Sequence, residues 1–135
     1  KATGIDFIWG RIPYVYGEGQ RNGSLIPSFV RDKNEGTEPT LKNPLGAQDF
    51  IYVEDVAQAF VLLLLGNGES GIYNIGSGKL TSIQEIVDRI YGRKVGTYTM
   101  EGRYLDISKM KNLGWRPKVT IEEGIQKFME YRKAS

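Results

Sequence analysis

The stretch Gly71-Ile72-Tyr73-Asn74-Ile75-Gly76-Ser77-Gly78-Lys79-Leu80-Thr81-Ser82-Ile83-Gln84-Glu85-Ile86-Val87-Asp88-Arg89-Ile90-Tyr91 holds a strand, a turn and a helix in that order. Gly71 to Gly76 is a short β-favouring run between glycines. Ser82 with Glu85 three residues on is a capping box, in which each side chain takes the other's free backbone N–H. Ile83, Ile86, Val87, Ile90 and Tyr91 then recur at helical spacing on one face. A strand leading through a turn into a helix is the unit from which α/β proteins are assembled.

The same alternation continues on both sides. Upstream, Asp55 reads as the N-cap of a helix from Val56 to Leu65, apolar nearly all round, hence buried, and ended by Gly66. Before it, Thr40-Leu41-Lys42 and Phe50-Ile51-Tyr52-Val53 read as short strands around a turn at Asn43-Pro44-Leu45-Gly46, which suggests a small separate lobe. Leu25, Ile26, Phe29 and Val30 mark a short amphipathic helix, and Asp32 to Pro39 reads as a polar loop. Ile5 to Ile12 reads as a strand apolar on both faces, of the kind found inside a parallel sheet. Beginning so close to the N-terminus, it predicts that residues 1–135 are part of something longer. Downstream, Thr97 to Met100 reads as a strand and Asp106 to Leu113 as a short helix capped by Asp106 and stopped at Gly114. Thr120-Ile121-Glu122-Glu123 is a second capping box opening a helix with Ile121, Ile125, Phe128 and Met129 on its apolar face. There is no internal repeat. The class is α/β.

Composition narrows the chemistry. The 135 residues, 40% hydrophobic and 25% charged, suffice for one domain with a core and are too few for two. There is no Cys and no His, which excludes disulfides, thiolate metal sites, Ser-His-Asp triads and imidazole bases. The formal charge of +2 is spread out, unlike the basic stripe of a nucleic-acid binder. The longest apolar run, Ala59 to Leu65, is too short for a bilayer, and no leader-like segment opens the chain. These features predict a cytoplasmic protein without nucleic-acid or membrane partners and without a metal.

The residues offer partial sites only. The glycines in Tyr16-Gly17-Glu18-Gly19-Gln20 let backbone approach a ligand, although a plain turn explains them more simply. Gly76-Ser77-Gly78 follows a strand, where α/β sheets bind ligands, but the next helix cap comes several residues later and a structural turn is the simpler reading. Tyr14, Tyr16, Tyr52 and Tyr73 suit core edges as well as sugar or base contacts. Asp49 and Asp55 form a conceivable acid–base pair, with capping and turn roles favoured. Asp106-Ile107-Ser108-Lys109 reads first as a helix start. No complete catalytic constellation is present.

Taken in order, Gly10-Arg11-Ile12-Pro13-Tyr14-Val15-Tyr16-Gly17-Glu18-Gly19, Asp49-Phe50-Ile51-Tyr52-Val53-Glu54-Asp55-Val56-Ala57-Gln58-Ala59, Tyr73-Asn74-Ile75-Gly76-Ser77-Gly78, Asp106-Ile107-Ser108-Lys109, Leu113-Gly114-Trp115-Arg116-Pro117 and Ile121-Glu122-Glu123-Gly124-Ile125 resemble the C-terminal part of the NAD-dependent epimerase/dehydratase family, extended short-chain dehydrogenases that act on nucleotide sugars. The resemblance spans essentially the whole chain. Each segment is weak alone; their order and spacing are specific. The family's GxxGxxG cofactor turn and YxxxK pair do not occur here, and Lys1 lies too near the first strand to be the family's catalytic lysine. The resemblance therefore implies a single partial domain: a substrate lobe plus the last parallel strands of a Rossmann-type sheet, without the N-terminal dinucleotide-binding half. It implies NAD or NADP in the full-length protein, no tight cofactor binding by these residues alone, and no catalytic residue within them.

By the same resemblance, the backbone at Ile12 and Pro13 lies near the nicotinamide. Tyr14 stands where nucleotide-sugar members usually have Asn. Ser24 and Leu25 fall where the family contacts the diphosphate sugar, and Thr40 and Lys42 on a strand against the base. Gln48 replaces a common Arg, and a neutral amide cannot reproduce bidentate phosphate contacts. Arg103 or Arg93 is then the candidate for a second phosphate contact. The segment Pro13 to Gly19 is also similar to the hydroxysteroid dehydrogenase branch, whose substrates carry no phosphate. A non-catalytic binding or regulatory relative is a third possibility. A cut sheet leaves a strand edge and an apolar face, to be covered by self-association or by the missing half.

Overall fold

A computed structural model describes residues 4–66 and 68–135; Lys1 lies outside the described residues. The elements run β1 (Ile8–Arg11), β2 (Tyr14–Tyr16), α1 (Leu25–Asn34), β3 (Gly46–Gln48), β4 (Phe50–Tyr52), α2 (Val53–Leu65), β5 (Gly71–Asn74), β6 (Thr81–Ser82), α3 (Ile83–Tyr91), β7 (Glu101–Arg103), α4 (Ser108–Asn112) and α5 (Ile121–Ala134). They make an α/β fold with three small sheets. Strands β1 and β5 pair in parallel, with Trp9 opposite Ile72 and Gly10 opposite Tyr73. Strands β2 and β4 pair in parallel, with Tyr14 opposite Phe50. In the third sheet β3 is central, antiparallel to β6 and parallel to β7.

Two apolar cores follow from the periodicities. One joins α1, α3 and α5 around Phe29, Ile86, Ile90 and Phe128, with Tyr16 and Tyr52 from the β2–β4 sheet. The other packs α2 and α4 against β5, around Ala59, Leu63, Tyr73, Met110 and Trp115. Gly10 lets Phe60 pack closely on β1, because a Cβ there would meet Phe60 Cζ at 2.7 Å and the ring would have to shift.

Several expectations change. Thr40 to Lys42 is loop rather than strand, with Leu41 packed against the first core, and a third small sheet is built from β3, β6 and β7. Helix α1 continues to Asn34, so Asp32 to Asn34 is helical rather than loop. The strand placed at Thr97–Met100 lies at Glu101–Arg103. The shift follows from Gly102, whose α-carbon sits against the Ala47 carbonyl so closely that any side chain would collide. Asp55 is not an N-cap: α2 begins at Val53, directly out of β4, with Tyr52 in the cap position. The Asp55 carboxylate instead accepts from the amides of Lys118 and Val119, both at 3.0 Å.

Helix α2 is not buried all round, since Val61, Leu64 and Leu65 are exposed. Strand β1 likewise has one covered face and one open face, on which Trp9 is 64% and Phe7 49% accessible. The Thr120–Glu123 capping box forms with both arms. At Ser82 only one arm forms, because Glu85 turns to Arg89 at 2.9 Å.

Candidate functional site

The register of β2 with β4 creates a slot beside the start of α1. Tyr14 and Tyr16 point to the same side, as residues two apart in a strand must. Tyr16 is buried, whereas Tyr14 is half exposed at the mouth, its ring 5.6 Å from that of buried Phe50. Ser24, Leu25 and Ile26 at the start of α1 complete a cavity of about 250 Å³. The turn Gly17 to Gln20, closed by the Gln20 amide on the Gly17 carbonyl at 3.2 Å, returns Gln20 to the slot. Its Nε2 donates to the Val15 carbonyl at 3.4 Å, which leaves Oε1 buried with no partner. Ser24 is the N-cap of α1, yet its hydroxyl makes no capping bond. The slot therefore has carbon walls, one free acceptor and one free hydroxyl.

The two deeper phenols do not titrate near neutrality. Burial, followed by the charges of Glu18 and Glu54, pushes Tyr52 up to about 12. Burial chiefly, then the neighbouring Tyr52 and Asp55, raises Tyr16 further still. Neither supplies a proton acceptor at physiological pH.

The structure brings Tyr14, Ser24 and Leu25 together in the slot and keeps the other candidates apart. Ile12 and Pro13 link β1 to β2, at the carboxyl end of β1, where open α/β sheets meet ligands. Gln48 and Arg103 are direct partners across β3 and β7, in the third sheet. Thr40 and Lys42 lie exposed between α1 and β3. Arg93 is engaged by Glu38 at 2.5 Å, which raises its pKa, and stacks over Tyr91. Gln20 and Phe50 received no site role from the sequence. The only signal for Gln20 was the glycine turn that precedes it.

The loop after β5 is a structural turn. The amides of Ser77 and Gly78 donate to the Asp49 carboxylate at 2.8 and 3.1 Å, the Ser77 hydroxyl at 2.6 Å, and the Leu105 amide at 3.1 Å. Asp49 thus fills the cradle that a phosphate would need. With that cradle filled by a carboxylate, the turn after β5 has no place for a pyrophosphate. Asp106 accepts from the Ser108 hydroxyl and amide, which holds its carboxyl below the usual range. No group of His, Cys, Asp or Glu among the described residues is arranged to hold a metal, and no helix among them is long and apolar enough to cross a membrane.

Known proteins share this fold. The chain is 33% identical to dTDP-4-dehydro-6-deoxyglucose reductase of Escherichia coli, over 89% of this chain and 43% of that protein. The structure of dTDP-glucose 4,6-dehydratase from Bacillus anthracis, solved with NAD, superposes with a TM-score of 0.81 and 28% identity, over 95% of this chain and 44% of that one. UDP-glucose 4-epimerase of Thermotoga maritima, solved with UDP-glucose, gives a TM-score of 0.80 and 28% identity, over 97% and 47%. The chain spans about half the length of the curated relatives it matches. The sequence pattern of the NAD dependent epimerase/dehydratase family matches residues 1–76, more than half of the 135, and ends on Gly76 at the turn after β5. The chain belongs to the NAD dependent epimerase/dehydratase family.

Proposed function

We propose that these residues form the substrate-binding portion of an NAD- or NADP-dependent nucleotide-sugar epimerase or dehydratase. The observation that carries the reading is the convergence of Tyr14, Ser24 and Leu25 on one slot beside Ile12 and Pro13. When bound, the nicotinamide supplies hydride exchange at a sugar carbon. The part of this chain is to hold the sugar, orient it and exclude water from it. Arg103, in register with Gln48, offers the positive charge that the amide lacks, so diphosphate contact passes from position 48 to its neighbour on β7.

The open face of β1 and β5 and the unpaired edge of β1 fit the dinucleotide-binding half that the longer relatives have room for. In this reading the GxxGxxG turn and the YxxxK pair precede Lys1, and the active protein is cytoplasmic. The carbon lining of the slot favours one other reading, a phosphate-free carbonyl substrate in the manner of the hydroxysteroid dehydrogenases.

Calorimetric titration of the full-length protein with UDP-glucose and dTDP-glucose separates the two. Nucleotide-sugar binding that weakens with added salt and strengthens in Gln48→Arg is expected. Failure to bind either compound, together with reduction of an apolar ketone, overturns the reading. Gene sequence upstream of Lys1 that encodes neither motif removes the enzymatic part of it.

A further inference from the structure

Strand β7 is three residues long, lies at the edge of its sheet and is exposed at every position. Gly102 presses its backbone on the Ala47 carbonyl, so no side chain at that position helps to hold the strand. A ladder of that length seldom keeps its place unaided. Its two flanks are fastened to buried carboxylates instead. On the C-terminal side the Leu105 amide donates to Asp49 Oδ2 at 3.1 Å, and Asp49 is 1% accessible. On the N-terminal side the Tyr98 hydroxyl donates to Asp88 Oδ2 on α3, and Asp88 is 4% accessible. Among the described residues, that hydroxyl is the one group between Lys94 and Met100 hydrogen-bonded to the body of the protein. Asp88 depends on it in turn. Its Oδ1 accepts from Gln84 Nε2 at 3.0 Å, and no cation among the described residues pairs with the carboxylate. A buried carboxylate with so few donors loses much when one is withdrawn.

Resting on the nucleotide-sugar reading above, in which Arg103 meets the diphosphate, we infer that Tyr98 and Asp88 are positioning residues for Arg103. The Tyr98–Asp88 and Leu105–Asp49 bonds stretch residues 98–105 between two fixed points, and Arg103 is thereby kept opposite Gln48. Neither Tyr98 nor Asp88 touches the ligand. A guanidinium gives its full effect on a phosphate only while its fork is aimed at the oxygens. Release of Tyr98 leaves β7 fastened on one side, and the entropy of ordering it then opposes ligand binding.

The test is calorimetric titration of the full-length protein with UDP-glucose and dTDP-glucose, read on whichever is accepted. Arg103→Gln is expected to weaken binding about tenfold and to reduce its dependence on salt. Tyr98→Phe, which removes one oxygen and keeps the ring, is expected to weaken binding about three- to fivefold with the same change in salt dependence. In the Arg103→Gln background Tyr98→Phe is expected to have no further effect, since a residue that acts through Arg103 then has nothing left to position. Asp88→Asn, which keeps an acceptor for the phenol, is expected to recover most of the affinity lost in Asp88→Ala. Equal losses from Tyr98→Phe in both backgrounds, or no loss in either, overturn this inference and leave the nucleotide-sugar reading standing. Wild-type affinity in Arg103→Gln removes the diphosphate role of Arg103, and this inference with it. Failure of both sugars to bind the wild type overturns the nucleotide-sugar reading itself. Should Tyr98→Phe not fold, hydrogen exchange in the wild type decides. The Gly96 amide donates to the Tyr98 hydroxyl oxygen at 3.2 Å and the Glu101 amide to the Leu45 carbonyl at 3.0 Å, and the bound sugar nucleotide should slow both by the same factor. Slowing at Glu101 alone overturns the inference.

Discussion

The two-stranded β1–β5 sheet has two unlike faces. On one, Ile8, Gly10 and Tyr73 lie under α2 and α4, where Tyr73 is 2% accessible and donates its hydroxyl to the Glu69 carbonyl at 2.6 Å. On the other, Phe7, Trp9 and Ile72 stand in the open, although their side chains are as apolar as those opposite. The first face is satisfied from within the chain, since α2 precedes β5 by a short link and α4, which comes after β6, α3 and β7, packs back onto it. The second has the composition of a core and, among the described residues, no covering element. Burial is thus a property of what lies across from a strand, and composition alone reports only that something should.

That contrast can be broken directly. Tyr73→Ala removes a fully buried ring and its hydrogen bond, and should destabilise the chain by about 3–5 kcal/mol in denaturant unfolding. A loss below about 1 kcal/mol would mean that the covered face is not a core at all. Trp9→Ser on the open face should change the stability of residues 1–135 by less than about 0.5 kcal/mol. In the full-length protein the same change should cost about 2 kcal/mol or more, because the ring is then buried. Equal effects in the two contexts would show that the face stays open. The smallest effect concerns the start of α4 on the covered side. Bonds from Ser108 lower the folded-state pKa of Asp106, so its contribution is present above the ordinary carboxyl value and is lost as pH falls through the depressed one. Asp106→Asn should therefore lower stability slightly at neutral pH and flatten the acid limb below about pH 4, so that the two proteins converge at low pH. An unchanged acid limb would remove Asp106 from that role.

Local signals in the sequence suffice where one segment decides its own structure. Thr120 and Glu123 form a complete capping box because both partners sit within one helical turn. The α/β class follows from the strand and helix periodicities in the same way, whereas the pairing of β1 with β5 joins segments far apart in the chain. What escaped the sequence depends on distant partners. Asp55 looks like a helix cap from its neighbours, yet its carboxylate is claimed by Lys118 and Val119. β7 falls at Gly102 because of the Ala47 carbonyl on β3, which nothing near residue 102 announces. In the slot, Tyr14, Ser24 and Leu25 were candidates by resemblance. Gln20 was not, because its importance lies in a carbonyl oxygen left over after the amide nitrogen is used.

Asp49 has a consequence for the dynamics of the whole chain. None of the three sheets has more than three strands, and sheets of that size seldom persist unaided. Yet the Asp49 carboxylate holds the turn after β5 and the segment before α4, while its backbone carbonyl accepts from the Tyr14 amide at the start of β2. Freeing Ser77, Gly78 or Leu105 leaves the buried Asp49 carboxylate short of a donor, so the others are loosened with it. The amides of Ser77, Gly78 and Leu105 should consequently exchange with solvent in a single opening event, and the three ladders melt as one cooperative unit.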